Sequence, residues 1–228
     1  MNVFAPLYTW NIFGYTVNGD IVTQWGVMLV LIVVGFLLSR NLSVENPGKI
    51  QVTVEMIYEM IANLVDENMG DEYTGYVPFV GTLFIYLLIL DLCGLIGFGP
   101  PTRNLSVVIG FTAITFILVH YNAIRKKGLG GYFKGYGQPY VAMLPINIIE
   151  KVSFPLSLAL RLFGNMLTAA IVMGLIYSGL GHISMIAQFG IPIIPHAYFD
   201  LFDGVVQTII FVMLTIITIK LEATTESH

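Results

Sequence analysis

Charged residues are scarce in this chain. Only 11% of its 228 residues are Asp, Glu, Lys or Arg, against about 25% in an ordinary soluble domain. Ten Lys and Arg residues at a net charge of −4 leave no basic surface for nucleic acid. A single cysteine, Cys93, excludes an internal disulfide. With 56% hydrophobic residues, the composition excludes a soluble globular enzyme, a disordered tail and a nucleic-acid binder.

Long apolar runs are what the sequence has instead, and each is long enough to cross a bilayer as a helix. The five predicted spans cover residues 21–39, 77–98, 105–124, 143–180 and 197–219. The fourth run is too long for a perpendicular crossing, so we expect long, tilted fourth and fifth helices. The sequence therefore predicts an all-α polytopic membrane protein in which residues 1–228 form a single membrane domain.

Two segments outside the spans are predicted to lie along the bilayer. The aromatic residues near the N-terminus suit an outer interfacial segment over residues 1–20. Residues 50–68 predict a cytoplasmic amphipathic helix, because their apolar residues recur at intervals of three and four. Lys and Arg cluster after the first, third and fifth spans, which predicts an outer N-terminus and a cytoplasmic C-terminus.

One permanent charge lies in the middle of the longest apolar run. Arg161 cannot be neutralised as a lysine can, and a charge at that depth is costly unless it serves a function. The alternative is a buried ion pair that holds two helices together. Asn165 and Thr168 follow by four and seven residues, which places all three on one helix face. For both, hydrogen bonding between helices is the alternative role.

The fifth span carries the opposite charge near its outer end. Asp200, Asp203 and Gln207 have the spacing of one helix face, and His196 lies one turn earlier. This polar stripe predicts an ion path from the outside toward the middle of the span. The alternative is a pair of interfacial carboxylates solvated by lipid headgroups.

Further charges lie at the ends of the spans. Glu150 and Lys151 open the fourth span, either as an interfacial pair or, for Glu150, as an ion exit. Asp91 and Arg103 are predicted to pair across a short outer turn. Polar side chains are thus predicted to extend into the membrane region from both sides, with Arg161 between them. This pattern predicts two offset half-channels that need a moving carboxylate on a partner to connect them, while the arginine blocks a direct leak.

Four stretches make the sequence resemble subunit a of F-type ATP synthases. The most specific is PLSLALRLFGNM at residues 155–166; the others are GFGPPTRNLS at 97–106, KGLGG at 127–131 and QTIIFVMLT at 207–215. The resemblance covers roughly residues 75 to 220 well. It implies a stator subunit in a bacterial plasma membrane that lies against a rotating ring of c subunits. The further implied partners are the b-subunit stalk and the rest of the complex.

The resemblance also implies which residues carry ions. Arg161 would face the carboxylate of the ring, and Glu150 would lie at the cytoplasmic outlet. Many family members have an acid or histidine nine residues after the arginine, where this chain has Ala170, so the inlet role is expected to shift to the fifth span. The implied residues are Arg161, Asn165, Asp200, Asp203, Gln207 and Glu150, with Thr168 and His196 as further candidates.

Several alternatives remain open at this point. Protons are favoured over sodium as the coupling ion, and two carboxylates suit either. A stand-alone channel or transporter would have internal repeats, and the sequence has none. A membrane enzyme could use His196, Asp200 and Asp203 as metal ligands, but no nucleophile–base pair or His-Glu-x-x-His motif accompanies them. We therefore expect no cofactor and no catalysis by this chain alone.

Overall fold

A computed structural model describes residues 9–12, 15–40, 42–43, 47–96, 99–136, 140–181 and 190–224. Five of the described helical segments are long and apolar enough to cross a membrane. They are Gly19–Ser39, Asp71–Leu95, Leu105–Gly135, Leu144–Gly181 and Ile193–Thr224. The predicted all-α polytopic architecture is thereby confirmed.

The chain enters its first long helix from a short β-hairpin. Strand β1 (Thr9–Ile12) pairs antiparallel with β2 (Tyr15–Asn18), with Thr9 opposite Asn18. Helix α1 (Gly19–Ser39) follows directly, and the Asn18 side chain caps it by accepting a 3.1 Å hydrogen bond from the Asp20 amide. Of the predicted interfacial segment, residues 1–8 and 13–14 lie outside the described residues.

Helix α2 (Lys49–Met69) packs on the bundle through one half only. Its buried residues, Ile61, Val65 and Met69, all lie in the C-terminal half. The helix ends at Gly70, whose φ of 96° is the left-handed conformation that glycine adopts without strain. The ammonium group of Lys220 donates a 2.8 Å hydrogen bond to the Asn68 carbonyl, which ties this end to the last membrane helix.

Helix α3 (Val77–Leu92) lies between two 3₁₀ turns, Asp71–Tyr76 and Cys93–Ile96. A third 3₁₀ turn, Pro101–Arg103, leads into α4 (Leu105–Gly135). The sequence predicted an end to that helix near residue 124, but α4 continues past its basic cluster and is kinked at Gly128, where φ is 74°. The Lys126 ammonium contacts Glu72 at 3.1 Å and the Tyr73 ring at 4.0 Å, so the charge is stabilised without interrupting the helix.

Helix α5 (Leu144–Gly181) has 38 residues and is the longest element. At 1.5 Å per residue it measures about 57 Å, which is far longer than a perpendicular crossing of a hydrocarbon core of about 30 Å requires. A short helix α6 (Ile193–His196), a π-helical turn (Ala197–Asp203) and helix α7 (Gly204–Thr224) complete the chain. Helices α3, α4 and α7 pack against one another around fully buried side chains such as Leu87, Val108, Phe211 and Ile216.

Candidate functional site

Arg161 lies near the middle of α5 on an exposed face of the bundle. Its neighbours Leu158 and Leu162 are buried, so the helix packs on the core while the guanidinium remains outside it. Within the described ranges, Arg161 takes part in no hydrogen bond or ion pair with another side chain. This permanent cation is therefore available to a group outside the chain.

The two polar residues that follow Arg161 differ in their surroundings. Asn165 is half-buried, one turn along α5. Thr168 is exposed, and its hydroxyl donates a 2.8 Å hydrogen bond to the Gly164 carbonyl of its own helix. A hydroxyl bonded to its own backbone needs no second helix. Thr168 therefore does not make the hydrogen bond between helices that was one alternative for it.

Near the start of the last membrane segment, Asp200 is part of a hydrogen-bonded series. Its carboxylate is buried and lies 2.5 Å from Nδ1 of His196. The other ring nitrogen of His196 lies 3.1 Å from the hydroxyl of Tyr177, on α5. The sequence pattern did not single out Tyr177, because a tyrosine near a helix end is an ordinary interfacial residue. The series joins α5, α6 and the π-helical turn.

The π-helical turn changes the geometry that the sequence spacing predicted. Asp200 and Asp203 both lie inside it, whereas Gln207 lies in regular helix α7. A π-helix hydrogen-bonds from i to i+5 and so has more residues per turn than an α-helix. The face assigned from α-helical spacing therefore does not continue unchanged through Asp203, which is half-buried while Asp200 is buried.

The backbone at Gly94, in the 3₁₀ turn that follows α3, lies close to the side chain of Asp200. A Cβ atom added at Gly94 would lie 3.0 Å from Cγ and Oδ2 of Asp200. Only glycine leaves this space free, since a Cβ contact at that distance forces one side to move. The backbone of Gly94 therefore forms one wall around the carboxylate.

Gln207 occupies a buried position one turn further in. It is 4% exposed, and within the described part of the chain its side-chain Nε2 has no hydrogen-bond partner. An unsatisfied buried amide is costly, which makes the position a candidate for contact with a polar group not present in this chain. The resemblance implied Gln207 as one of the ion-path residues, and that role stays a prediction.

The expected ion pair between Asp91 and Arg103 does not form. Arg103 instead pairs with Asp20 at the start of α1, with Nη2–Oδ1 and Nε–Oδ2 distances of 3.0 and 3.3 Å. Two nitrogen atoms of the guanidinium group thus bind the two oxygen atoms of one carboxylate in a side-by-side arrangement. Asp91 is fully buried and accepts hydrogen bonds from Thr102 at 2.9 Å and Thr208 at 3.1 Å. Two threonine hydroxyl groups thus satisfy the carboxylate of Asp91, which the sequence predicted to pair with Arg103.

A cleft lies beside this ion pair, with a volume of about 320 Å³. Asn18, Asp20, Arg103 and Asn104 form its polar side, and Phe163, Leu167 and Ala170 line it from α5. Ala170 therefore borders an open space but brings no titratable group to it. The position at which many relatives have an acid or histidine is accessible here without being charged.

On the opposite side, the charges at the start of α5 separate. Glu150 is exposed, and within the described residues it forms no ion pair. Lys151 forms its ion pair with Glu222, near the end of α7, and not with Glu150. This corrects the interfacial Glu150–Lys151 pair, because the lysine reaches the neighbouring helix. Glu150 is left in contact with the exterior.

No metal centre is found among these groups. Within the ranges that the structure describes, no three His, Cys, Asp or Glu side chains come together as a metal site. The site consists of three separated polar groups: an exposed cation on α5, a carboxylate series at one end of the bundle, and the exposed Glu150 carboxylate at the other. Such a set can guide and separate ions.

Comparisons with known proteins show the family to which the chain is similar. The sequence model of the ATP synthase A chain family matches residues 21–220. The sodium-ion-specific ATP synthase subunit a of Propionigenium modestum is 33% identical over 95% of this chain and 78% of its own length. ATP synthase subunit a of Albidiferax ferrireducens is 37% identical over 89% and 85%, and that of Moorella thermoacetica is 34% identical over 95% of both.

These matches extend across the long helices and the polar groups described above. Their coverage includes the arginine on α5 and the carboxylates before α7. The chain is therefore a multi-pass membrane protein of the ATP synthase A chain family, the family of subunit a in F-type ATP synthases.

Proposed function

We propose that this chain forms two offset half-channels against a rotating ring of c subunits, with Arg161 as the barrier between them. The exposed guanidinium without a partner in the described part of the chain carries this proposal. It attracts a bare carboxylate on the ring and repels a free cation. Each ring carboxylate must therefore release its ion before it passes the arginine, which couples ion flow to rotation.

The outer half-channel runs along the segment that leads into α7. Asp200 and Asp203 accept the ion, His196 lies at the entrance, and Gln207 lines the path one turn further in. Support comes from the hydrogen-bonded series around Asp200 and from the unsatisfied buried amide of Gln207. Asn165 lines the path next to Arg161, with Thr168 beyond it on the same helix.

The inner half-channel opens at the start of α5. Glu150 lies at its outlet, because this carboxylate is exposed while the adjacent lysine is held by another helix. The loops that contain most Lys and Arg lie on this side, which we assign to the cytoplasm. The N-terminus is then outside, the C-terminus is cytoplasmic, and the membrane is the plasma membrane of a bacterium. Residues 1–228 act as one membrane domain that also contacts the b-subunit stalk.

The coupling ion in this proposal is the proton. Both ring nitrogens of His196 are within hydrogen-bond distance of side-chain oxygens, so a proton can pass along the series by changing partners. Sodium would need several oxygen ligands or a hydrated path. The sodium specificity named for the Propionigenium modestum relative makes sodium the second candidate.

Sodium uptake by the purified complex in proteoliposomes distinguishes the two ions. With a protonophore present, ATP should drive no sodium uptake, whereas a pH gradient should form when the protonophore is omitted. Sodium uptake that persists or increases with the protonophore would identify sodium as the coupling ion.

The residues of the outer path are tested by the double variant Asp200→Asn with Asp203→Asn. Amides keep the size of the side chains but lose their charge, so ion entry from the outside should slow by at least about tenfold, the factor for about 1.4 kcal/mol. Glu59→Gln, an exposed carboxylate on α2, is the control. Equal rates of ATP synthesis in all three complexes would place the inlet elsewhere.

A further inference from the structure

We propose that Asp91 is a positioning residue that fixes the register of α7, and with it the places of Asp203 and Gln207. The inference deepens the proposed function, since it concerns how the outer path is held. Three observations carry it: the hydrogen bonds of a fully buried carboxylate, a close helix contact beside them, and the irregular turn that precedes α7.

The carboxylate of Asp91 joins three elements. It lies near the end of α3, accepts from Thr102 of the turn before α4, and accepts from Thr208 of α7. All three side chains are completely buried. Within the described part of the chain Asp91 has no cationic partner. Directional hydrogen bonds between buried groups specify one arrangement of helices where apolar contacts would allow several.

Gly204 brings α7 against α3 at the same place. A Cβ atom at this position would lie 3.2 Å from Cβ of Asp91, so the two helices meet closely because residue 204 is glycine. Gly204 and Thr208 are one turn apart and therefore share a face. The glycine sets the separation of the helices, and the threonine hydroxyl sets their position along the axis.

The register of α7 needs such a device because a π-helical turn comes directly before it. A π-helical turn accommodates an additional residue relative to an α-helix. A slip of one residue would move α7 by about 1.5 Å and rotate it by about 100°. Asp203 directly precedes Gly204, and Gln207 directly precedes Thr208. The same slip would therefore turn both proposed path residues away from their present positions.

The test removes the hydroxyl with little change in shape. Thr208→Val loses the hydrogen bond to Asp91, whereas Thr208→Ser keeps it. Thr215→Val is the matched control, because Thr215 is equally buried on the same helix but donates to the Phe211 carbonyl of α7 itself. Each variant is purified as the whole complex in a Cys93→Ala background, with a spin label at Ile209→Cys, an exposed position on α7.

Two readouts are taken from each assembled complex: the depth of the label in the bilayer, and the ions pumped per ATP hydrolysed. Thr208→Val should shift the label and lower the pumping ratio by at least about tenfold, the factor for one hydrogen bond to a charged group. Thr208→Ser and Thr215→Val should leave both near the values of the parent.

An unchanged label depth in Thr208→Val would overturn the inference, whatever happens to pumping. Label depth does not depend on which residues carry ions, so a shifted label with normal pumping would support the register role and count against Gln207 and Asp203 as path residues. Should Thr208→Val not assemble, Gly204→Ala serves instead, because its Cβ would lie 3.2 Å from Cβ of Asp91 and so crowd the contact between α7 and α3. A label that stays in place in Gly204→Ala would again overturn the inference.

Discussion

Gly94→Ala tests whether the position of Asp200 matters for ion entry. The new Cβ would lie 3.0 Å from the Asp200 carboxylate, whereas carbon atoms pack at about 3.5 to 4.0 Å. The carboxylate must therefore give way by a few tenths of an ångström, which strains its 2.5 Å contact with His196. The backbone of Gly94 is not in the left-handed region, so alanine adds the steric clash without backbone strain.

Overpacking of this kind costs about 1 to 3 kcal/mol, which reduces the population of the hydrogen-bonded arrangement by about five- to 150-fold. We expect ATP-driven pumping by the reconstituted complex to fall by at least about fivefold, with normal assembly. Gly110→Ala is the control, because a Cβ there meets nothing within 4 Å.

A double variant decides whether the loss arises through Asp200. In an Asp200→Ala background the added Cβ has no carboxylate to displace, so Gly94→Ala should cause no further loss of pumping. An equal additional loss in that background would refute the reasoning, and so would normal pumping by Gly94→Ala alone.

Two further predictions concern the ends of the bundle. Arg103→Gln leaves the mostly buried Asp20 carboxylate without its partner and should destabilise the complex by about 2 to 4 kcal/mol. Adding Asp20→Asn to Arg103→Gln should recover most of the loss in thermal dissociation temperature. Strictly additive losses from the two substitutions would contradict the pairing. Glu222→Gln breaks the partly exposed ion pair with Lys151 and should cost only about 1 kcal/mol. Hydrogen exchange at the end of α7 should then rise, and exchange equal to that of the parent would contradict a role for the pair.

The sequence predicted the membrane helices because their cause is local. A run of about 20 apolar residues must satisfy its backbone within a helix when it leaves water, so composition and length suffice. The exposure of Arg161 and Glu150 was not predicted from their spacing, because the packing of the helices decides which face of α5 is exposed. Their roles in ion transport stay predictions.

The partners of the buried charges could not be predicted in the same way. Arg103 and Asp20 are 83 residues apart, and Asp91 and Thr208 are 117 apart, so only the packing of the helices decides which groups meet. The sequence placed Asp91 and Arg103 together because they are near neighbours in the chain. The π-helical turn was missed for a related reason: α-helical spacing was assumed throughout the fifth span.

The central claim is that Arg161 separates the two half-channels, and Arg161→Ala tests it most directly. The complex is reconstituted in liposomes, and ATP-driven formation of an ion gradient is measured, with Ser157→Ala, an exposed position one turn before Arg161 on α5, as the control. The account predicts that Arg161→Ala assembles and hydrolyses ATP but builds no gradient, while Ser157→Ala pumps as the parent does. A normal gradient in Arg161→Ala would contradict the account.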